Sequence, residues 1–480
     1  MTLLFALVGL LGAAAGHAAG PLDLPEMGSS SSTVLSAEQE RQIGESAMRS
    51  LRSALRLLDD PVVESYVQNL GDRLAAYANE TTYQFTFFVV DDPSINAFAM
   101  PGGYIGVHVG LILAAESEHE LAAVLAHEIA HVTQRHIARQ VERQNRMGLP
   151  GAAAILAAMV LSQYSPQAAQ AALATYTAGS IQMAINHTRA HEYEADRVGI
   201  QLLARAGFDP EAMPAFFERL QRHARLHGSA PPEILSTHPV HASRIADARH
   251  RAEEQRGETR EESVAFHLAQ ARLRVLLSRE PRAVAADFQR ELAADNHGHP
   301  ETLRYGRALA LLEAREVAAA QTLVAGLLEE SPDQLEYLLL KAEVEKTAGH
   351  AERSAESYRE LVELYPGNVA LTRAYASTLM EFGRAGEART LLRDHLRYNE
   401  ADAQLYHLLA RAHSELGEAA AAHQAMAEHY YLNGNVHRAV EQLRQALRRD
   451  DLGAHERARV NARLENMELE SNPRRQVSNP

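Results

Sequence analysis

The chain has 480 residues, 46% of them hydrophobic, a formal net charge of −15 and no cysteine or tryptophan. That length exceeds one hydrophobic core and implies two or more domains, and the acidic balance excludes nucleic acid as the main partner, because phosphate binding needs a basic surface. Without cysteine there is no disulfide, no lipid attachment through a thiol and no thiolate metal ligand, so any metal site must use histidine and carboxylate.

Met1–Gly20 is apolar for about 15 residues and then small-residue-rich, with Gly16 and Ala18 placed as before a signal-peptidase cut. We expect a signal peptide over 1–19, although its first residues carry no Lys or Arg. The alternatives are a buried helix or an uncleaved anchor; a span needs roughly 20 apolar residues, and the run falls slightly short. Residues 20–35, rich in Pro, Gly and Ser, read as a flexible leader.

Residues 36–78 read as helical. Ser36 is an N-cap and Gln39 stands at the third helical position. The β-branched and aromatic run 83–92 predicts a strand, Asn96–Gly103 a turn, and Tyr104–His108 a second strand. A helix is expected from Glu118 to about Gln140, with Leu121, Val124, Leu125, Ile129 and Val132 on its buried face. It carries His127-Glu128-Ile129-Ala130-His131. Two imidazoles one turn apart can face one ion, and the carboxylate beside the first can serve as general base for the attacking water.

The apolar segment 150–161 is too short to span a bilayer and reads as a core helix or a flap over the cleft. A helix starting near Ala190 carries Glu192 and Asp196 on one face, with Glu192 placed 61 residues after His131. Glu192 is assigned as the third metal ligand. Asp196 is expected to accept a hydrogen bond from the far nitrogen of a ligand histidine. Glu194 reads as a solvated helix charge. A peptide substrate is expected to pair with a free edge of Tyr104, Ile105, Gly106, Val107 and His108. Gly102 and Gly103 would permit its close approach, and an ordinary tight turn is the alternative reading for these glycines. On its residues alone His238 is either a metal contact or an ordinary polar histidine, as are His136, His191 and His241. A further helix is expected over 209–224, and the domain boundary in the charged stretch 250–262.

The C-terminal half repeats. Gly349, Gly383 and Gly417 recur every 34 residues, as do Ala308, Ala342, Ala376 and Ala410, and Pro332 and Pro366. Small residues where helices cross and Gly between them are the logic of tetratricopeptide repeats. A repeat domain is read over 262–453. The helix near 419–432 is shared between units, Val436–Arg449 closes the array, and 454–480 is a tail, disordered over 471–480.

His127-Glu-Ile-Ala-His131-Val-Thr-Gln-Arg-His136 with Glu192-Tyr-Glu-Ala-Asp196-Arg-Val-Gly199 resembles the HtpX/CAAX-protease family of zinc metallopeptidases, peptidase family M48. Asn96-Ala-Phe-Ala-Met-Pro-Gly-Gly103, and Ser236-Thr-His-Pro239 with Arg244 as an accessory residue, are similar to it too. The resemblance implies an α+β zincin-like metalloprotease domain over 36–255, mostly helical with a small sheet, followed by an all-α repeat solenoid. It implies one zinc ion per chain on His127, His131 and Glu192, with Glu128 as base. It implies that His238 can take the open zinc position and hold the enzyme latent. The expected activity is that of a periplasmic metalloendopeptidase, peripheral to the outer membrane. Such an enzyme degrades misfolded or stalled outer-membrane proteins and promotes β-barrel assembly, meeting the assembly machinery through its repeats. A repeat-based chaperone or scaffold with a closed protease site is the alternative. Long spanning helices after the zinc motif are lacking, which speaks against CAAX processing.

Overall fold

A computed structural model describes residues 35–78, 83–146, 189–227, 232–294, 299–398 and 402–471. The expected signal peptide, nearly all of the leader, the segment 150–161 and the end of the tail lie outside the described residues.

The N-terminal unit opens with two helices, Ala37–Ala54 and Pro61–Ala75. Ser36 and Gln39 form the expected capping box on the first. The Asp60 side chain accepts from the amides of Val62 and Val63 at the start of the second, satisfying donors that a helix start leaves unpaired.

Three strands follow: β1 (Thr86–Val90), β2 (Ala97–Met100) and β3 (Tyr104–His108). Their order is β1-β3-β2, with β3 parallel to β1 and antiparallel to β2. This corrects two expectations. Residues 97–100 form a strand rather than a turn, because Ala97, Phe98 and Met100 are buried and Pro101–Gly103 makes the reversal alone. Tyr104–His108 is the central strand, with both edges paired, so Tyr104, Ile105, Gly106, Val107 and His108 offer no free edge to a peptide. Gly102 and Gly103, at φ 80 and 88, serve the hairpin turn. Gly106 sits where a Cβ would lie 2.2 Å from the Phe98 ring and 2.9 Å from that of Phe88. Its bare backbone lets those rings meet edge-on at 5.7 Å.

The histidine helix runs over Glu118–Thr133, capped by Ser117. It stops short of Gln140, because Arg135 takes a left-handed conformation (φ 52) and a new helix, His136–Arg146, starts there. The Arg135 guanidinium is held by Glu40 at 3.0 Å and by the Leu35 carbonyl. Arg189–Arg205, the acidic helix, packs along the histidine helix. At their crossing is Gly199, where a Cβ would stand 3.2 Å from the His127 amide nitrogen. Ala212–His227, Glu233–Thr237 and Ala242–Glu254 complete this unit. Leu121, Leu125, Ile129, Ile200, Phe216 and Phe266 belong to its core.

From Val264 onward the chain is a succession of antiparallel helices. Ala308, Ala342 and Ala376 are fully buried and Ala410 nearly so, as small residues at helix crossings must be. Gly349, Gly383 and Gly417 end helices at φ 76, 72 and 76, the left-handed geometry glycine adopts without steric cost. One period earlier the same turn is made by Arg315 at φ 64. The tail expectation is corrected: Ala454–Ser471 is a helix, and Val460 and Met467 are buried against Val436–Leu447. Val436–Leu447 therefore does not close the array.

The array lies along the first two helices. Arg272 bonds Asp60, Arg373 pairs with Asp59 and Glu64, and Asn368 meets Ser65. Near the far end Arg52 donates to the Leu432 carbonyl at 3.3 Å.

Candidate metal centre

Helical spacing aims His127 and His131 the same way, and the close crossing at Gly199 brings Glu192 to them. Loop 238–241 adds His238. One ligand atom from each of His127, His131, Glu192 and His238 lies within 4.8 Å of the others, all four residues being buried. His127 Nε2 is 3.0 Å from His131 Nε2 and 3.3 Å from His238 Nδ1. Glu192 Oε2 is 3.2 Å from His238 Nδ1 and 3.5 Å from His127 Nε2. Imidazole nitrogens and a carboxylate crowd one point here, and such a donor set suits a cation of intermediate softness.

Around this core sits a layer that fixes it. Asp196 Oδ1 lies 3.0 Å from His127 Nδ1. Arg244, 2% exposed, reaches Asp196 through Nε (2.5 Å) and Nη2 (2.8 Å). It also reaches Glu192 (2.9 Å) and the Pro239 carbonyl (3.0 Å) through Nη1. One guanidinium thus orients both carboxylates and holds the loop that carries His238.

The electrostatics follow from these partners. Burial opposes the charged form of His127, but Asp196 and Glu192 outweigh it and raise the imidazole to about 9. Burial likewise opposes ionised Glu192, yet His238, His127 and Arg244 hold its carboxyl well below the usual range. Asp196 is lowered against burial by Arg244 and His127. Glu128 is 1% exposed, and neither of its carboxylate oxygens has a hydrogen-bond partner. His238 Nε2 stands 3.4 Å from its Oε1. A buried carboxylate with no hydrogen bond, faced by His238, is costly to fold.

Two features were not read from the sequence. His136 Nδ1 lies 2.8 Å from His131 Nδ1, and its Nε2 is 3.2 Å from Glu194 Oε2. Glu194 is therefore no solvated charge, being held also by Arg139 at 2.7 Å. His191 stacks on His136 with ring centroids 4.4 Å apart. Burial and His191 lower His136 to about 4, so it faces His131 as a neutral ring. The fifth residue after His131 falls beyond the helix end, where periodicity stops predicting direction. His241 has no place in the cluster.

Residues 61–252 match the model of peptidase family M48, and residues 273–430 match a tetratricopeptide repeat model. The beta-barrel assembly-enhancing protease of Escherichia coli K12 is 37% identical over 444 residues, 92% of this chain and 91% of that one. The chain belongs to peptidase family M48. The same-named protein of Yersinia pestis is 33% identical over 92% of this chain and 91% of its own. Other relatives match over a shorter stretch. The mitochondrial metalloendopeptidase OMA1 of Danio rerio is 32% identical over 41% of this chain and 42% of its own. As an M48 metalloendopeptidase, the chain joins a helical N-terminal unit with a small sheet to an array of tetratricopeptide repeats. Among the described residues no helix is long and apolar enough to cross a membrane.

Proposed function

We propose that this chain is an exported zinc endopeptidase that cleaves misfolded or stalled outer-membrane proteins in the periplasm and aids β-barrel assembly. The carrying observation is the buried cluster of His127, His131, Glu192 and His238 beside the Glu128 carboxylate, which has no hydrogen-bond partner. His127, His131 and Glu192 would hold one zinc ion, which when bound supplies Lewis acidity toward the scissile carbonyl and its attacking water. Glu128 accepts the proton of that water and delivers it to the leaving amine. Asp196 and His136 fix the rings of His127 and His131. Arg244 positions Glu192 and Asp196.

His238 takes the remaining place in the cluster, which supports a resting state closed by its imidazole. The neighbouring recess, lined by Val124, Met213, Phe216, Phe217 and Leu220, has a volume of about 20 Å³. That admits a water but no side chain. Opening of the His238 loop would uncover both the ion and an apolar recess for the substrate. An edge for peptide pairing is better offered by β2, which among the described residues pairs with β3 alone. The repeats supply surface for client proteins and for the outer-membrane assembly machinery, as the names of the full-length relatives suggest.

Casein cleavage by zinc-loaded full-length protein, beside Glu128→Gln and His238→Ala, tests the reading. Cleavage by wild type and more by His238→Ala, lost in Glu128→Gln, is the expected result. Zinc-loaded, folded protein in which none of the three cleaves would shift the weight to a chaperone with a closed site. Equal cleavage with and without Glu128 would sink the protease mechanism.

A further inference from the structure

At the start of the histidine helix, nine residues before His127, a second group of metal-ligating side chains converges where the N-terminal unit passes into the array. Glu262 lies in the connector before the helix Val264–Leu276, His267 in that helix's first turn, and His299 at the N-cap of Pro300–Glu313. One ligand atom from each lies within 4.8 Å of the others. Glu262 Oε2 is 3.2 Å from His267 Nε2. The rings of His267 and His299 stack at 4.3 Å.

We propose that Glu262, His267 and His299 form a second metal site that binds a borderline divalent cation such as Zn²⁺ and ties the catalytic helix to the repeat array. Two imidazoles and one carboxylate suit zinc, cobalt or nickel rather than calcium or magnesium, which prefer all-oxygen shells. Zinc–nitrogen bonds of about 2.0–2.1 Å place donor atoms roughly 3.3 Å apart, so side-chain rotations of about 1 Å complete the set.

The surroundings are built for this. Glu301 Oε1 lies 3.2 Å from His299 Nδ1, a contact that fixes a ligand imidazole and leaves its other nitrogen for the ion. Glu262 Oε1 accepts the Glu118 amide proton at 3.0 Å. Glu118 itself is 1% exposed and accepts from Tyr66, from the Ser263 amide and from the Ser263 hydroxyl. Among the described residues neither Glu118 nor Glu262 has a Lys or Arg within ion-pair distance, and Arg73 lines the recess beside Glu118. The three side chains are 20–37% exposed, which gives an ion access. Glu118 begins the histidine helix, so a bound ion would couple that helix start to the first repeat helices.

The experiment counts zinc in full-length protein after dialysis against a zinc buffer, with thermal unfolding alongside. His127→Ala/His131→Ala removes the catalytic ligands. It is expected to keep one bound equivalent and to unfold at a higher temperature when Zn²⁺ is added. Adding Glu262→Gln and His299→Gln should abolish both the equivalent and the shift. No residual equivalent in the first variant, or one that survives the added substitutions, would overturn the site. Should the first variant not fold, otherwise wild-type protein with Glu262→Gln/His299→Gln serves. It must lose one of two zinc equivalents while retaining casein cleavage, and unchanged stoichiometry refutes the proposal.

Discussion

Two buried arginines each join two carboxylates in this molecule, with different outcomes. Arg272 reaches Asp60 at 2.7 Å, Glu343 at 2.8 Å and Tyr305 at 3.2 Å, while Asp60 also caps its helix. None of these side chains is left with an unpartnered buried atom. Around Arg244 the network is open: Glu192 Oε1 and both oxygens of Glu128 have no hydrogen-bond partner. The first arrangement is complete with protein groups and locks the array to the N-terminal unit. The second becomes complete only with something added. Buried charge serves structure where its valences close and chemistry where they do not.

The strongest way to test this contrast is Glu128→Gln. It should lower kcat/KM by about 10³-fold or more while leaving the melting temperature close to wild type. A large loss of stability would make Glu128 structural and collapse the distinction. Arg272→Met should do the opposite, costing about 3–5 kcal/mol by stranding buried Asp60. In calorimetry it should split unfolding into separate transitions for the two units. A single transition at the wild-type temperature would show that the closed network does not couple them.

A smaller effect sharpens the open side. His136 is lowered to about 4 by burial and His191, against about 6.5 when unfolded. Between these values the unfolded chain binds more protons, so stability falls as pH drops through that window. The loss in metal-free protein should reach about 3 kcal/mol near pH 4, and His136→Gln should flatten that part of a melting curve series. The smallest expected change lies in the array. Arg315→Gly should add about 1 kcal/mol in denaturant titration, because glycine removes the left-handed strain. Destabilisation there would mean that the Arg315 side chain does more than fill a turn.

The clustering of His127, His131 and Glu192 was legible because they sit at helical spacing within two short motifs. Asp196 was legible as their partner for the same reason. The repeats were legible from their 34-residue period, and Arg315 shows why the first unit was harder to see: the same turn geometry is made there without the marker glycine. What stayed hidden depended on contacts between distant segments. The order of the strands follows from burial of Phe98 and Met100 on a short hairpin arm, which a Pro-Gly-Gly turn signal concealed. The joining of Glu194, His136 and His131 crosses a helix break at Arg135 that no Pro or Gly announced. The docking of array on N-terminal unit rests on single pairs such as Arg373 with Glu64, which carry no periodic signal.

Gly434 has its own bearing on how the molecule works. A Cβ there would stand 2.6 Å from the Arg49 carbonyl oxygen, so the late repeats touch the opening helix at bare backbone. Early repeats are fastened to the neighbouring helix through Arg272. Arg373 fastens the middle of the array to Glu64 as well, so the repeats lie along the opening helices as a hoop and not an arm. Held at several places, it is not free to swing as one lever. A protein bound on the repeats would therefore be held at a fixed offset from the cleft, as a calliper holds its jaws.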